Sequence, residues 1–393
     1  MKKTLLTLSI AAVFAVGASA AEFKAGTYTA KAPGIHGDVT VTVTFTKDKI
    51  TDVKVTHSET PGIGSKAAEL LPGRIVERQS PQVDGVTGAT ITSTAIRTAV
   101  ADTVKQAGAD PAALVPLAVK KQAKNETVDT DVVVVGGGGA GMSATIRTRM
   151  NGLNVVLVEK MPFIGGAASI SGGQVVAQGS KLQKAFGVTD DSVESMVKDF
   201  QANGHNLNDL SKLTLYAKNV GPTIDWLHDQ VGVKFIPNDL PFLAEYSHRR
   251  ALEFQGGAGT MAQHLREVIG SNGAKVLFNT RVEKLIVEDG KVTGVEAVDG
   301  NTGTKYTIRA KKTLLTTGGY GNNKNLLTDT YKNTLYYGPV SSTGDGLQMA
   351  QKLGVKTQLL EYGAIRTALK LRRARPSPPS TPMSARSTRP ASS

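Results

Sequence analysis

Three short stretches of this chain place glycine, hydroxyl and carboxylate groups at spacings that chemistry uses. The first is Gly136-x-Gly138-x-x-Gly141, directly after the apolar run at 132–135, with Glu159 closing a second apolar run. The first glycine permits a tight turn, the second lets backbone approach a pyrophosphate, and the third lets a helix pack closely on a strand. The helix start adds N–H donors and the positive end of its dipole. A carboxylate ending the second strand can accept from ribose hydroxyls. A lone G-x-G-x-x-G also marks any tight strand-to-helix turn, but with both strands and the acid present the pattern points to a bound ADP moiety.

The second stretch is "DGVTGAT", residues 84–90, just ahead of a helix-like run. Thr90 is either a chemical attachment point or, with Thr92, an ordinary helix N-cap. A threonine hydroxyl is a poor nucleophile unaided, so attachment there needs a separate activating enzyme. The third is "FIGGAASISGGQVV", where the pairs Gly165-Gly166 and Gly172-Gly173 surround small residues and let backbone lie flat on a large planar ring. The later "TTGGYG" (316–321) and "TGDG" (343–346) follow the layout by which FAD proteins return to their cofactor. Among the cations, His248, Arg249 and Arg250 precede another glycine pair; an arginine pair near a cofactor can hold a carboxylate, but support of the cofactor and its helix is the reading favoured for this region over a substrate role. His228 and His264 sit in helix-like stretches and read as surface or packing residues.

Elements that can position these groups are visible in the periodicity. "DVTVTVTFT" alternates strictly and "KITDVKVTH" follows after a short turn, which predicts an antiparallel hairpin. "GSKAAELLPGRIVERQ" predicts a helix interrupted near Pro72, and residues 92–107 a second helix. The Ala-, Lys- and Pro-rich segment 113–129 reads as a linker. From Asp131 the grammar is apolar strand, glycine turn, helix, apolar strand: a βαβ unit. Residues 190–231 are mostly helix-like, 274–300 read as strands joined by tight turns, and "KKTLLTTGG" as another buried strand.

Bulk properties set the context. A chain of 393 residues with 40% hydrophobic content can bury two cores. Residues 1–20 carry Lys2 and Lys3, a short apolar run and Ala18-Ser19-Ala20, the form of a cleaved secretory signal, so a periplasmic or secreted location is expected. Cysteine is absent, which excludes disulfides, thiolate metal ligands and C-x-x-C-H haem attachment; no metal site is predicted. The net charge of +13 invites a nucleic-acid reading. However, Arg366, Lys370, Arg372, Arg373, Arg375, Arg386 and Arg389 all fall in the Pro- and Ser-rich end, with no aromatic stacking residues among them, so no nucleic-acid partner is expected. That end, 366–393, reads as a non-native or disordered tail on a domain that stops short.

From Asp131 to about Glu361 the chain resembles the FAD-binding half of the fumarate reductase and succinate dehydrogenase flavoprotein superfamily, particularly its soluble fumarate and urocanate reductases. Residues 24–108 resemble the FMN-binding domain that accompanies them, on "DGVTGAT" and the upstream loop "HSETPGIG". The implied fold is α/β: a Rossmann-like FAD-binding domain of glutathione-reductase type at 130–365, incomplete, after a small α+β FMN-binding domain at 21–112. The resemblance implies covalent FMN on Thr90, placed by a flavin transferase, and non-covalent FAD held by Gly136, Gly138, Ala140, Gly141, Glu159, Ala167, Ala168, Gly172, Gly173, Val282 and Asp345. Relatives carry Asn-Ser or Asn-Thr where this chain has Ala167-Ala168, so side-chain hydrogen bonds there are lost and backbone contacts remain.

The implied activity is reduction of the C=C bond of a small unsaturated carboxylate, urocanate, fumarate or similar, with FMN relaying electrons from an external donor such as a cytochrome. The family's proton-donating arginine lies beyond the point where this chain becomes "TALKLRR"; Arg366 has no matching surroundings, and no catalytic residue is assigned. The alternative is a flavin-binding electron-transfer module without substrate chemistry of its own.

Overall fold

The structure, a computed structural model, describes residues 22–61, 63–86, 89–117 and 123–363. The signal-like segment, the basic tail with Arg366, and Thr87 and Gly88 of the "DGVTGAT" stretch lie outside the described residues.

The alternating run becomes β2 (Asp38–Phe45), paired antiparallel with β1 (Gly26–Pro33) and β3 (Ile50–Thr56) in the order β1-β2-β3. Val39, Val41, Val43 and Phe45 all point into one core, as the period of two requires. β1 was not anticipated: its small and polar residues bury little, and it is held by its register with β2. Two helices, α1 (Gly64–Arg78) and α2 (Thr90–Gln106), cover the sheet. Contrary to expectation α1 is not interrupted; Pro72 lies inside it. Burial of Leu71 and Ile75 on either side holds the helix together across the hydrogen bond the proline removes.

β4 (Asn125–Val135) begins inside the stretch assigned to the linker, because residues from 125 on pair in parallel with β11 (Lys305–Leu315). The βαβ unit forms as read: β4, α3 (Gly139–Met150) and β5 (Val155–Val158). The six-stranded sheet runs β8-β5-β4-β11-β10-β9, with β8 (Lys275–Leu277) at one edge and β9 (Thr280–Glu288) and β10 (Lys291–Asp299) antiparallel at the other. Val132 and Val134 enter the core on one face of β4, and Val133 and Val135 the core on the other. Coverage on both faces is why this strand reads as an unbroken apolar run. A short sheet, β6 (Gln174–Val176) with β7 (Ala251–Glu253), flanks the helices α4 (Lys181–Ala185), α5 (Val193–Asn203), α6 (Leu210–Trp226) and α7 (Gly257–Ser271). The small helices α8 (Asp329–Lys332) and α9 (Asp345–Gln351) follow β11.

Candidate functional site

At the C-terminal ends of β4 and β5 a cleft is walled by the glycine turn, the start of α3, the 3-10 turn Gly166–Ile170, and the starts of β9 and α9. This is the crevice outside the strand ends where open α/β sheets bind ligands. The glycines earn their places differently. Gly136 has φ +102°, and a Cβ there would stand 2.6 Å from the Thr316 carbonyl oxygen. At Gly141 a Cβ would stand 1.9 Å from the Gly136 carbonyl oxygen, so helix and strand close on that position. At Gly138, the N-cap of α3, a Cβ would meet nothing within 4 Å: it would project into the open cleft at the helix N-terminus, where a pyrophosphate oxygen belongs.

Glu159 ends β5 and is buried, its Oε2 accepting from the Gly137 amide at 2.7 Å and its Oε1 from the Met161 amide at 2.8 Å. Burial raises its carboxyl above the ordinary value, and the two amides oppose that rise. Across the cleft, Asp345 accepts from Lys160 Nζ at 3.0 Å and from Arg281 Nη2 at 2.8 Å. Burial disfavours its charge, but the hydrogen bonds from Arg281 and Lys160 prevail and hold it below the ordinary carboxylate value. Lys160 and Arg281 are thus held on Asp345 at the rim of the cleft, and its fit for a ligand carrying phosphates rests on the glycine turn and the N-terminus of α3.

Gly136, Gly138, Ala140, Glu159, Ala167, Ala168, Val282 and Asp345 all line the cleft. Gly141 packs beneath it, and Gly173 lodges against the start of α7, where a Cβ would stand 3.1 Å from the Ala258 amide. Gly172 is exposed and outside the lining. Lys160 and Arg281 escaped the sequence reading. Lys160 follows Glu159 directly, a signal that was available; Arg281 had none, because only the return of β9 brings it to Asp345.

The arginine pair does not face this cleft. Arg250 is fully buried, its Nε and Nη2 donating to both oxygens of Asp191 at 2.7 and 2.6 Å and its Nη1 to Asp199 at 2.5 Å. Arg249 donates to the Leu240 carbonyl at 2.7 Å and lies over the Phe242 ring, and His248 is shared between Ser195 and Ser247. With its donors committed, Arg250 ties α5 to the approach of β7 and is not a carboxylate clamp. His264 bonds the Val231 carbonyl and His228 pairs with Asp229, both packing roles.

In the first domain Thr90 is the first residue of α2 and is exposed. The N-cap is Ala89, with no side-chain cap bond, so neither Thr90 nor Thr92 caps this helix. Thr92 is buried instead and donates to Glu59, which also accepts from the Ile35 and His36 amides at 2.8 and 3.1 Å. An exposed hydroxyl at a helix start is open to modification, and suits a phosphoester near the helix dipole's positive end.

Residues 131–365 match the model of the FAD binding domain family. The chain belongs to that family. Residues 34–105 match the FMN-binding domain, so the cleft is the site of an FAD-binding domain and Thr90 stands in an FMN-binding domain. The chain is 33% identical over 355 residues to a urocanate reductase of Eggerthella lenta, covering 88% of this chain and 58% of that protein. It is 34% identical over 248 residues to a fumarate reductase (cytochrome) of Shewanella frigidimarina, covering 61% of this chain and 42% of that one. Among solved structures, the open conformation of a flavocytochrome c3 fumarate reductase superposes with a TM-score of 0.54 at 34% identity, over 57% of this chain and 40% of that chain. The chain therefore spans roughly half the length of the relatives it matches.

Proposed function

We propose that this chain is the two-flavin part of an enoate reductase that saturates the C=C bond of a small carboxylate such as urocanate or fumarate. The observation that carries the reading is the likeness to a urocanate reductase that runs through 88% of this chain, across both domains. Bound FAD supplies the hydride chemistry, and FMN on Thr90 supplies electrons to it. The chain's own contribution is to hold and orient. Gly138 and the start of α3 would receive the pyrophosphate, Glu159 would accept from the ribose, Ala167 and Ala168 would offer backbone to the ring, and Lys160 and Arg281 would hold Asp345 in place at the cleft. A cleaved signal would deliver the protein to the periplasm, where a flavin transferase loads Thr90 and an external electron carrier such as a cytochrome reduces the FMN.

The test is production with a flavin transferase, followed by denaturation and an anaerobic assay. FAD should be released while FMN stays on the polypeptide, and the complete reductase of which this chain is the two-flavin part should oxidise reduced methyl viologen when urocanate, fumarate or acrylate is added. Release of both flavins sinks the covalent assignment. Viologen oxidation that none of the enoates accelerates sinks the reductase reading.

A further inference from the structure

The two flavin domains touch at a place the cofactor sites themselves do not explain. Thr60 and Pro61 follow β3 in the first domain, next to Glu59. A Cβ built on Gly259, in the first turn of α7, would stand 3.2 Å from the Pro61 carbonyl oxygen, 3.8 Å from Thr60 Cγ2 and 3.9 Å from the Ser169 carbonyl oxygen. Ser169 belongs to the same 3-10 turn as Ala167 and Ala168, the wall of the FAD cleft. Optimal contact between heavy atoms lies near 3.5–4.0 Å, so a side chain at 259 would lie in contact with the loop and press slightly on the Pro61 carbonyl.

Two further features follow the same seam. Phe163, just ahead of the 3-10 turn, packs against the core of the first domain. Burial lowers the Arg266 guanidinium of α7 from its ordinary value while leaving it charged, and the charges of Glu267 and of Glu69, on α1 of the first domain, oppose that lowering. On its other side the loop is tied to the FMN helix: buried Glu59 accepts from Thr92, two residues beyond Thr90, and Thr60 Oγ1 bonds His36 Nε2 at 3.0 Å. Gly64 completes the tie, since a Cβ there would stand 2.7 Å from Glu59 Cβ and 2.8 Å from Thr92 Oγ1.

We propose that residues 59–61 are a docking element that seats the FMN-binding domain on Gly259 and the Ser169 turn in one fixed arrangement, with the start of α2 tied to that seat through Thr92 and Glu59. Domains joined by a linker move relative to one another by default; a contact built on a glycine and a buried carboxylate removes that freedom where the two cofactors must communicate. The purpose rests on the two-flavin reading, but the docking itself is a statement about this chain's own residues.

The chain has no cysteine, so an engineered pair reports without background. Thr60→Cys with Gly259→Cys in the full chain brings two thiols within disulfide range only if the domains dock, because Cβ atoms must approach to roughly 3.5–4.5 Å. Mild oxidation should remove the free thiols and give a faster band on a non-reducing gel, and the yield should fall to background in denaturant. Persistence of both thiols in protein that still binds flavin overturns the docking and leaves the enoate reductase reading standing. Formation of the disulfide in protein whose FMN is not covalent supports the docking while sinking the Thr90 assignment. Should the cysteine pair disturb folding, Gly259→Leu in the otherwise native chain gives a second measurement. Faster hydrogen exchange across residues 57–66 with FAD binding retained supports the seat, and unchanged exchange overturns it.

Discussion

The carboxylate of Glu159 accepts a 2.7 Å hydrogen bond from the amide of Gly137, the residue between the first two glycines of the fingerprint. The acid at the end of β5 thus shapes the glycine turn as well as lining the cleft. At Gly137 a Cβ would stand 2.2 Å from Ile164 Cγ2, so the turn is confined by contact on one side and by this hydrogen bond on the other.

Replacement of Glu159 separates these roles. Glu159→Ala leaves the buried Gly137 amide without an acceptor, at a cost of about 1–3 kcal/mol, and FAD retention falls with it. Glu159→Gln keeps one acceptor and loses less. Because burial raises this carboxyl above 4.5, its contribution to stability is complete below that value and is lost as pH rises through the raised value. The glutamine variant, which does not titrate, loses that pH dependence. Thermal melts across pH with FAD titration check all three points.

Gly138 and Gly141 predict opposite outcomes for the same change. Gly138→Ala adds a methyl group to open space, so the melting temperature stays near that of the native protein while FAD affinity drops about tenfold or more, the equivalent of roughly 1.4 kcal/mol. Gly141→Ala drives a methyl into the Gly136 carbonyl and destabilises the fold by about 1–3 kcal/mol. Fluorescence titration with FAD beside chemical unfolding distinguishes the two.

Thr90 and Thr92 divide in the same manner. Thr90→Val abolishes flavin fluorescence of the denatured polypeptide and leaves stability unchanged within about 0.5 kcal/mol, because the side chain is exposed and caps nothing. Thr92→Val removes the hydroxyl donor to buried Glu59 and costs about 1–3 kcal/mol. In-gel fluorescence and unfolding by urea report each effect.

The Arg250 cluster gives an acid-stability prediction. Burial disfavours the charges of Asp191 and Asp199. Hydrogen bonds from Arg250 and Gln183 to Asp191, and from Ser247 and Arg250 to Asp199, outweigh it and hold both carboxyls below the ordinary 3.8. Depressed carboxyls contribute stability above that ordinary value and lose it as pH falls through the folded value. Arg250→Met strands the two carboxylates at a cost of about 3–5 kcal/mol near neutral pH, and the variant loses less on further acidification than the native chain does. Urea unfolding at several pH values measures the difference, and Arg250→Lys does not restore the two-pronged bond.

Much of the architecture was legible before any coordinates because it is written locally. The glycine turn, the apolar runs of β4 and β5 and the alternation of β2 follow from backbone sterics and side-chain period, which act within a few residues. The exposed hydroxyl of Thr90 was legible as a candidate, yet its freedom from capping was not: that depended on α2 starting with Ala89 as cap and on Glu59 taking Thr92. The uninterrupted α1 shows burial overriding the rule for proline.

What the sequence determined by itself is the glycine turn, the acid at the end of β5 and the small residues that line the cleft, with the local turns that present them. The tertiary structure decided which carboxylate each cation meets. Arg250, one of a pair that could have held a carboxylate, is consumed by Asp191 and Asp199, whereas Lys160 and Arg281, 121 residues apart (281 − 160), converge on Asp345. Lys160 and Asp345 are 185 residues apart, and Glu59 and Thr92 are 33 apart. Such pairs carry no periodic signal, because the energy that joins them arises only after folding has brought distant segments together and lowered the access of water to them.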